Sequence, residues 1–206
     1  MSEGNPYADA VPRAVPALTP ARAALEEALV AWMAETGERP AELTVSGLCQ
    51  RAFVARSTFY ANYAGLDDVL ATVELRLLDA LARAGRPMES LDGGGRVVLD
   101  SYDDFVRVLG ANEDRFRLLL VDVPSARFVE RWKELLGYHF WQRLFVGDAM
   151  RAHDRPSTVN RALVLEMIGA AFIAGVRLWL RDPQQVGTPE LKALILRLIH
   201  DIDEVW

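Results

Sequence analysis

The sequence lacks the features of a secreted or membrane protein. It contains one cysteine, Cys49, so no disulfide can form within a single chain, which favours a reducing compartment. The longest uncharged run in its most apolar region, Met167 to Val176, is far shorter than the roughly 18 residues that a membrane span needs. The first 20 residues contain four prolines and no apolar run, so they resemble no targeting signal. We interpret residues 1–18 as a flexible tail and expect a soluble, cytoplasmic protein with no membrane partner.

Positive residues are outnumbered by negative ones. The 206 residues include 23 Lys and Arg against 29 Asp and Glu, a net charge of −6. This balance excludes a general electrostatic attraction to nucleic acid or to anionic membranes, so any contact with DNA must be local. The composition, 51% hydrophobic and 25% charged, is that of a globular protein, and the length allows one large domain or two small ones.

Motifs that carry enzymatic chemistry are absent from the sequence. There is no GxSxG nucleophile elbow, no GxxxxGK[ST] phosphate-binding loop and no HExxH zinc motif. His139, His153 and His200 lack the spacing of metal ligands, and the glycines at 93–95 follow no predicted strand. We therefore predict a protein without enzymatic activity, catalytic residues, bound metal or cofactor.

Apolar residues recur at steps of three and four along most of the chain, which predicts helices. The first helix begins after a Thr19-Pro20 cap pair and stops at Gly37. No stretch alternates apolar and polar residues, so we predict an all-α fold. Glycine and proline at 85–97 indicate a hinge, which divides the chain into an N-terminal domain at 19–82 and a larger helical domain at 83–206. Further helices are predicted at about 44–51, 55–62, 66–84, 99–111, 113–121, 125–147, 158–181 and 188–204.

Residues 44–63, TVSGLCQRAFVARSTFYANY, have the pattern of a helix-turn-helix. Their two predicted helices are too short to be stable alone and are joined by about three residues. In a major groove, Arg56 could bond guanine, Asn62 could bond adenine and the Thr58 methyl could touch thymine, whereas hydroxyl groups are better suited to phosphate. The predicted DNA-binding residues are Thr44, Arg56, Ser57, Thr58, Tyr60, Asn62 and Tyr63.

With this helix-turn-helix and the helices around it, the sequence resembles the TetR family of one-component transcriptional regulators. The resemblance implies an all-helical homodimer with an N-terminal DNA reader and a larger ligand-sensing domain. It also implies a repressor that a small molecule releases from a palindromic DNA operator. The resemblance is carried by the long first helix that ends at Gly37, then by Leu43-Thr44-Val45, Ala52-Phe53-Val54, the run Arg56 to Tyr60, Asn62-Tyr63 and Asp67 to Leu70. It is carried more weakly by AFIAGVRLWL and TPELKALILRLI near the end of the chain.

Three residues depart from the family pattern. Phe53 stands where the family usually has glycine or another residue that tolerates positive φ in the turn, so the aromatic residue would be strained there. Ala55 replaces the usual Ser or Thr cap, and Leu66 replaces a Lys that commonly contacts phosphate. Residues 17–80 also carry five arginines against nine acidic residues, a net charge of −4. The alternative interpretation is therefore a helical dimer whose reader has degenerated, leaving a ligand-binding or protein-interaction module without specific DNA binding.

The second predicted domain suggests two further sites, each with a plainer explanation. An aromatic-rich helix at 125–147 either belongs to the core or closes around a largely apolar small molecule. The residues that would line the cavity are Phe105, Phe116, Trp132 and His139. The last two helices are apolar on more than one face, which favours a four-helix dimer interface over a monomer that buries one face. The predicted interface residues are Phe172, Trp179, Leu191, Ile195 and Leu198.

Overall fold

The computed structural model describes residues 5–86, 94–141 and 161–182, with side chains from 103 and from 162 in the last two ranges, and five positions between 187 and 197. Within these residues every regular element is helical, which confirms the predicted all-α fold. A 3₁₀ turn at Pro40–Glu42 and a π-helical turn at Leu118–Asp122 supplement the α-helices. The helices are α1 (Pro20–Thr36), α2 (Val45–Arg51), α3 (Arg56–Asn62), α4 (Leu66–Gly85), α5 (Gly94–Ala111), α6 (Glu113–Arg117), α7 (Ala126–Trp141) and α8 (Arg161–Arg181).

The ends of α1 and the start of α4 follow from local sequence signals. The Thr19 hydroxyl accepts a hydrogen bond from the Arg22 amide, and Pro20 occupies the first turn, where its missing N–H costs nothing. Gly37 ends α1 with a φ of 72°, a left-handed conformation that suits glycine. Asp67 and Asp68 lie in the first turn of α4, where negative charge favours the helix dipole.

The predicted hinge at 85–97 is shorter than expected. Helix α4 continues to Gly85 and α5 already begins at Gly94, so the last four residues of the predicted hinge are helical. A helical glycine costs only about 1 kcal/mol relative to alanine, and α5 buries an apolar face that includes Leu109 against the core. The predicted helix at 113–121 consists of α6 and the π-helical turn. The predicted helix at 188–204 and the end of the one at 125–147 lie outside the described residues.

One apolar core runs through the described helices. Leu25 and Leu29 of α1 and Val73 and Leu77 of α4 belong to the same buried cluster as residues of α6, α7 and α8. Helix α1 contacts α2, α3 and the π-helical turn, and α4 contacts α1, α5 and α7. The two predicted domains therefore share this core.

The N-terminal segment is not the flexible tail that its prolines suggested, at least from residue 5 onwards. The Asn5 side-chain amide donates to the Tyr138 carbonyl oxygen at 3.3 Å. The Tyr7 ring lies so close to Gly137 that a Cβ there would be 2.9 Å from the ring. The Pro16 carbonyl accepts from Arg76 Nη1 at 2.8 Å. These contacts attach the segment to α7 and α4.

The aromatic side chains around α7 form a packed cluster. Phe116, Phe128 and Trp132 are buried with ring centroids 5.4 to 6.0 Å apart, and Phe105 packs on the Trp132 ring at 6.0 Å. His139 is buried against Gly85 at the end of α4. The packing favours the core interpretation of the predicted ligand-lining residues over the cavity interpretation.

Two of the predicted dimer-interface residues are core residues instead. Phe172 packs against Phe105 with ring centroids 4.8 Å apart, and Trp179 is also buried within the single chain. Phe172 also contacts the Trp132 ring of α7, at 6.2 Å between centroids. Both residues therefore offer almost no surface to a partner. The other three predicted interface residues, Leu191, Ile195 and Leu198, lie outside the described residues.

Helix α8 is the only described helix that could span a membrane by length and composition alone. In the structure it packs along α7, and Lys133 of α7 forms an ion pair with Glu166 of α8. Of its most apolar stretch, within Ala162–Arg181, 44% is buried inside the protein. A helix in the core of a protein can have the same length and composition as a membrane span.

Candidate nucleic-acid interface

Helices α2 and α3 form a helix-turn-helix supported by α1. Leu48 of α2 and Phe59 of α3 are fully buried in the same cluster as Leu25 and Leu29 of α1. Cys49 is buried beside them, as expected for a small apolar residue. Each short helix is therefore held by its apolar face, which compensates for its low intrinsic stability.

The position of α2 on α1 depends on a close approach at Gly47. A Cβ at this position would lie 2.5 Å from the Trp32 ring, so only glycine lets the two helices come so near. The Arg51 guanidinium lies 4.7 Å from the centre of a Trp32 ring and pairs with Glu35 at 2.8 Å. Arg51 is thus engaged by α1 on the outer side of the same contact.

The turn between α2 and α3 keeps the strained conformation that the sequence suggested. Phe53 has a φ of 54°, the one positive value among the described residues other than glycine, and its side chain is 97% exposed. Ala55 precedes α3 and supplies no side-chain cap, at a cost of about 1 kcal/mol relative to a Ser or Thr cap. Leu66 is buried at the start of α4 and does not face solvent.

Four of the predicted DNA-binding residues lie at the protein surface. Arg56, Ser57 and Tyr60 are exposed on α3, and Thr44 is exposed at the start of α2. The Thr44 hydroxyl also caps α2 by accepting from the Gly47 amide at 3.1 Å. Residues 56 and 60 are one helical turn apart, so α3 presents a guanidinium and a phenol on one face.

Arg56 differs from Arg51 and Arg76 in having no acidic partner among the described residues. Within the part of the chain that the structure describes it forms no ion pair, whereas Arg51 and Arg76 are paired with glutamates. Its place at the first residue of α3 opposes the helix dipole, so it does not serve to stabilise this helix. Residues 44–63 contain Arg51 and Arg56 but no acidic residue, so the segment is positive although residues 17–80 as a whole are negative.

Three predicted site residues are partly or fully turned inwards. Thr58 and Asn62 are half-buried, and the Asn62 side-chain amide donates to the Thr58 carbonyl at 2.8 Å. Tyr63 is 3% exposed, and its hydroxyl donates to Glu26 Oε1 at 2.7 Å. Burial, together with the hydrogen bond to Glu26, raises the pKa of Tyr63 well above its usual value. The Tyr63 hydroxyl is thus used inside the protein.

Glu26 organises a buried polar network behind α3 that the sequence did not predict. Its carboxylate, 2% exposed, receives Arg76 Nε at 2.8 Å and Nη2 at 3.1 Å in addition to the Tyr63 hydroxyl. Arg22 stacks over the Tyr63 ring at 4.7 Å and donates to the Asn62 carbonyl at 3.0 Å. The network therefore fixes the end of α3 to both α1 and α4.

A second buried glutamate connects α4 to α7. The Glu74 carboxylate accepts from the Ser125 hydroxyl and from Arg127 Nε, each at 2.7 Å. The Ser125 hydroxyl in turn accepts from the Phe128 amide at 3.2 Å, which caps α7. Since Arg76 lies two residues after Glu74, the same stretch of α4 bonds Glu26 of α1, which holds the end of α3, and Arg127 of α7.

Comparisons with known proteins identify the fold. No protein-family model matches the chain, and a search of curated proteins finds no match. The solved structure of the fatty acid degradation regulator FadR from Bacillus halodurans is similar over 89% of this chain and 94% of that one, with a TM-score of 0.62 and 16% identity. The dihydroxyacetone kinase operon activator DhaS is similar over 87% of this chain and 92% of that one, with a TM-score of 0.56 and 15% identity. The chain thus has the fold of two transcription regulators.

Proposed function

We propose that this protein is a DNA-binding transcriptional regulator of the TetR type, most simply a repressor acting at a palindromic operator. One observation carries the proposal: the helix-turn-helix presents an unpaired, exposed Arg56 at the start of α3, on a segment without acidic residues. The likeness in fold to two transcription regulators supports this function. In this proposal residues 19–82 are the reader and residues 83–206 form the sensing and dimerisation domain.

The exposed residues divide into base-reading and phosphate-binding roles. Arg56 can bond O6 and N7 of a guanine in the major groove, which makes it the main determinant of sequence preference. Thr44, Ser57 and Tyr60 have hydroxyl groups on the surface and are suited to phosphate oxygens, which position the helix. Thr58 and Asn62 sit at the margin of this face. Because the Tyr63 hydroxyl is engaged by Glu26, we assign Tyr63 to support of α3 rather than to DNA contact.

A homodimer would supply the two readers that a palindromic operator needs, spaced about 34 Å apart. The outer face of α8 supports this part of the proposal. Leu163 and Met167 are 56% and 63% exposed. The exposed Ala170, Ala171 and Ala174 continue the same face, and Leu178 lies one turn beyond Ala174. An exposed apolar stripe of this kind marks an interaction surface, and its small residues would allow a second copy to approach closely. This stripe replaces Phe172 and Trp179 as the proposed contact.

We further propose that a small-molecule effector binds in the domain at 83–206 and changes the spacing of the two readers. An effector acts only if it prefers one spacing, by about 1–3 kcal/mol for ordinary allosteric coupling. The contacts of Glu74 and Arg76 would carry the change. Glu74 fixes α4 to α7, and Arg76 fixes α4 to Glu26 of α1, which also holds Tyr63 at the end of α3. An effector that enters the aromatic cluster would have to displace rings that are packed together.

Binding to DNA fragments from the promoters of the protein's own and neighbouring genes tests this function. Fluorescence anisotropy should show a fragment that binds at least about 1,000-fold more tightly than random DNA at physiological salt. Affinity should fall as salt rises, because phosphate contacts release counterions. Equal, weak binding to all fragments at low salt would contradict the proposal. That outcome would favour the degenerate module, which the net charge of −4 at 17–80 motivates.

A further inference from the structure

Phe53 combines two unfavourable features that a glycine in this turn would avoid. Its φ of 54° lies in the left-handed region, where a side chain with a Cβ is strained and glycine is not. Its phenyl ring is 97% exposed to solvent, so it gains almost nothing from packing on the described part of the chain. An observed backbone outlier at an exposed turn is a reason to look for a role in binding.

The position of the ring suggests what it would contact. Phe53 precedes Arg56 by three residues, so their Cα atoms are at most about 11 Å apart. If Arg56 reaches into the major groove from the start of α3, the edge of that groove lies next to this turn. The turn lies between Arg51 and Arg56, and no acidic residue occurs from 44 to 63, so charge favours DNA over a basic partner.

We propose that Phe53 makes an apolar contact with operator DNA at the edge of the site that Arg56 reads. The contact rests on the proposed function and adds to it a residue that recognises an apolar group of the duplex. Two such groups are within the chemistry of a phenyl ring: the C5 methyl of thymine and the carbon face of a deoxyribose. A thymine methyl would make Phe53 a determinant of sequence, and a sugar would make it a determinant of affinity.

Three substitutions separate the ring from the turn conformation. Phe53→Gly removes the ring and the strain, so we expect the melting temperature to rise by about 2 °C. We expect the same variant to bind the operator about tenfold more weakly, because the apolar contact is lost. Phe53→Asn removes the ring but keeps a residue that tolerates positive φ, and it should lose affinity equally. Phe53→Tyr keeps the ring and should bind within about threefold of the original protein.

Operator binding by the unmodified protein is the control for the proposed function itself. If the protein binds but the Gly and Asn variants bind within about twofold of it, or if the Tyr variant loses as much as they do, the inference about Phe53 is wrong while the function stands. If the unmodified protein binds no operator, the proposed function fails and the inference falls with it. Operators with deoxyuridine in place of thymine distinguish the two groups. If deoxyuridine weakens binding of the original protein and not of the Gly variant, the contact is with the thymine methyl. If Phe53→Gly weakens binding equally on the thymine and the deoxyuridine operators, the contact is with the sugar.

Discussion

Protonation of His139 should make the stability of the protein fall in mild acid. Burial and the nearby Arg86 charge lower the pKa of His139 from 6.5 to about 4 in the folded protein. In the unfolded chain this imidazole regains its ordinary pKa, so the unfolded state takes up a proton as pH falls through 6.5 and the folded state does not. The contribution of neutral His139 to the free energy of unfolding is therefore fully present above pH 6.5 and is lost progressively between pH 6.5 and 4.

The size of the effect follows from the difference between the two pKa values. Full protonation of the unfolded state alone corresponds to a loss of about 3 kcal/mol, of which about 2 kcal/mol is reached at pH 5. For a protein of this length, that loss should lower the melting temperature by roughly 4–8 °C between pH 7.5 and 5. Because His139 is 3% exposed, solvent screening does not reduce the effect much.

Thermal unfolding of the original protein and of His139→Gln, each at pH 7.5 and at pH 5, measures this contribution. Carboxyl groups titrate in both proteins, so the difference between their two pH responses isolates His139. The variant should lose about 2 kcal/mol less than the original protein over this range. Equal losses would show that His139 is accessible to protons in the folded state and that its described burial does not hold in solution.

Three other contacts give predictions of their own. Arg76→Met leaves the buried Glu26 carboxylate without its positive partner and should lower the free energy of unfolding in urea by about 3 kcal/mol or more. The control, Arg83→Met, removes an exposed ion pair and should cost under about 1 kcal/mol. Equal costs would contradict a structural role of the network. Trp132→Ala should cost about 3–5 kcal/mol if the aromatic cluster is packed core, and a cost near zero would indicate a hollow. Met167→Asp should convert a dimer to a monomer in sedimentation, and a monomeric original protein would contradict the proposed interface.

Much of the fold could be predicted because its helices carry local signals. Thr19 with Pro20, Gly37, and the acidic pair Asp67-Asp68 mark helix ends by chemistry that acts within one turn. The helix-turn-helix could be placed because two short apolar stripes require a third helix to cover them. The strain at Phe53 could also be predicted, since a non-glycine residue stands in a turn that needs positive φ.

Contacts between distant residues could not be predicted in this way. Arg76 and Glu26 are 50 residues apart, and nothing near either residue indicates the other. The direction of the Tyr63 hydroxyl depends on this pair, so an aromatic residue at the end of a recognition helix was assigned to DNA when it faces the core. Phe172 was likewise assigned to a dimer interface, whereas it is buried within the single chain. Helix α8 is apolar on several faces, so its sequence does not show which face packs on the rest of the chain and which stays exposed.

The central claim is that Arg56 reads a base pair, and one measurement tests it directly. Arg56→Ala should be titrated with the operator and with a set of operators changed at each base pair of one half-site. Arg107→Ala is the control with the same change in charge, because Arg107 is an exposed residue of α5 and lies outside the helix-turn-helix. We predict that Arg56→Ala costs about 1–3 kcal/mol in operator binding and abolishes discrimination at one base pair, while the control binds like the original protein. If discrimination at every base pair survives Arg56→Ala, α3 does not read DNA as described.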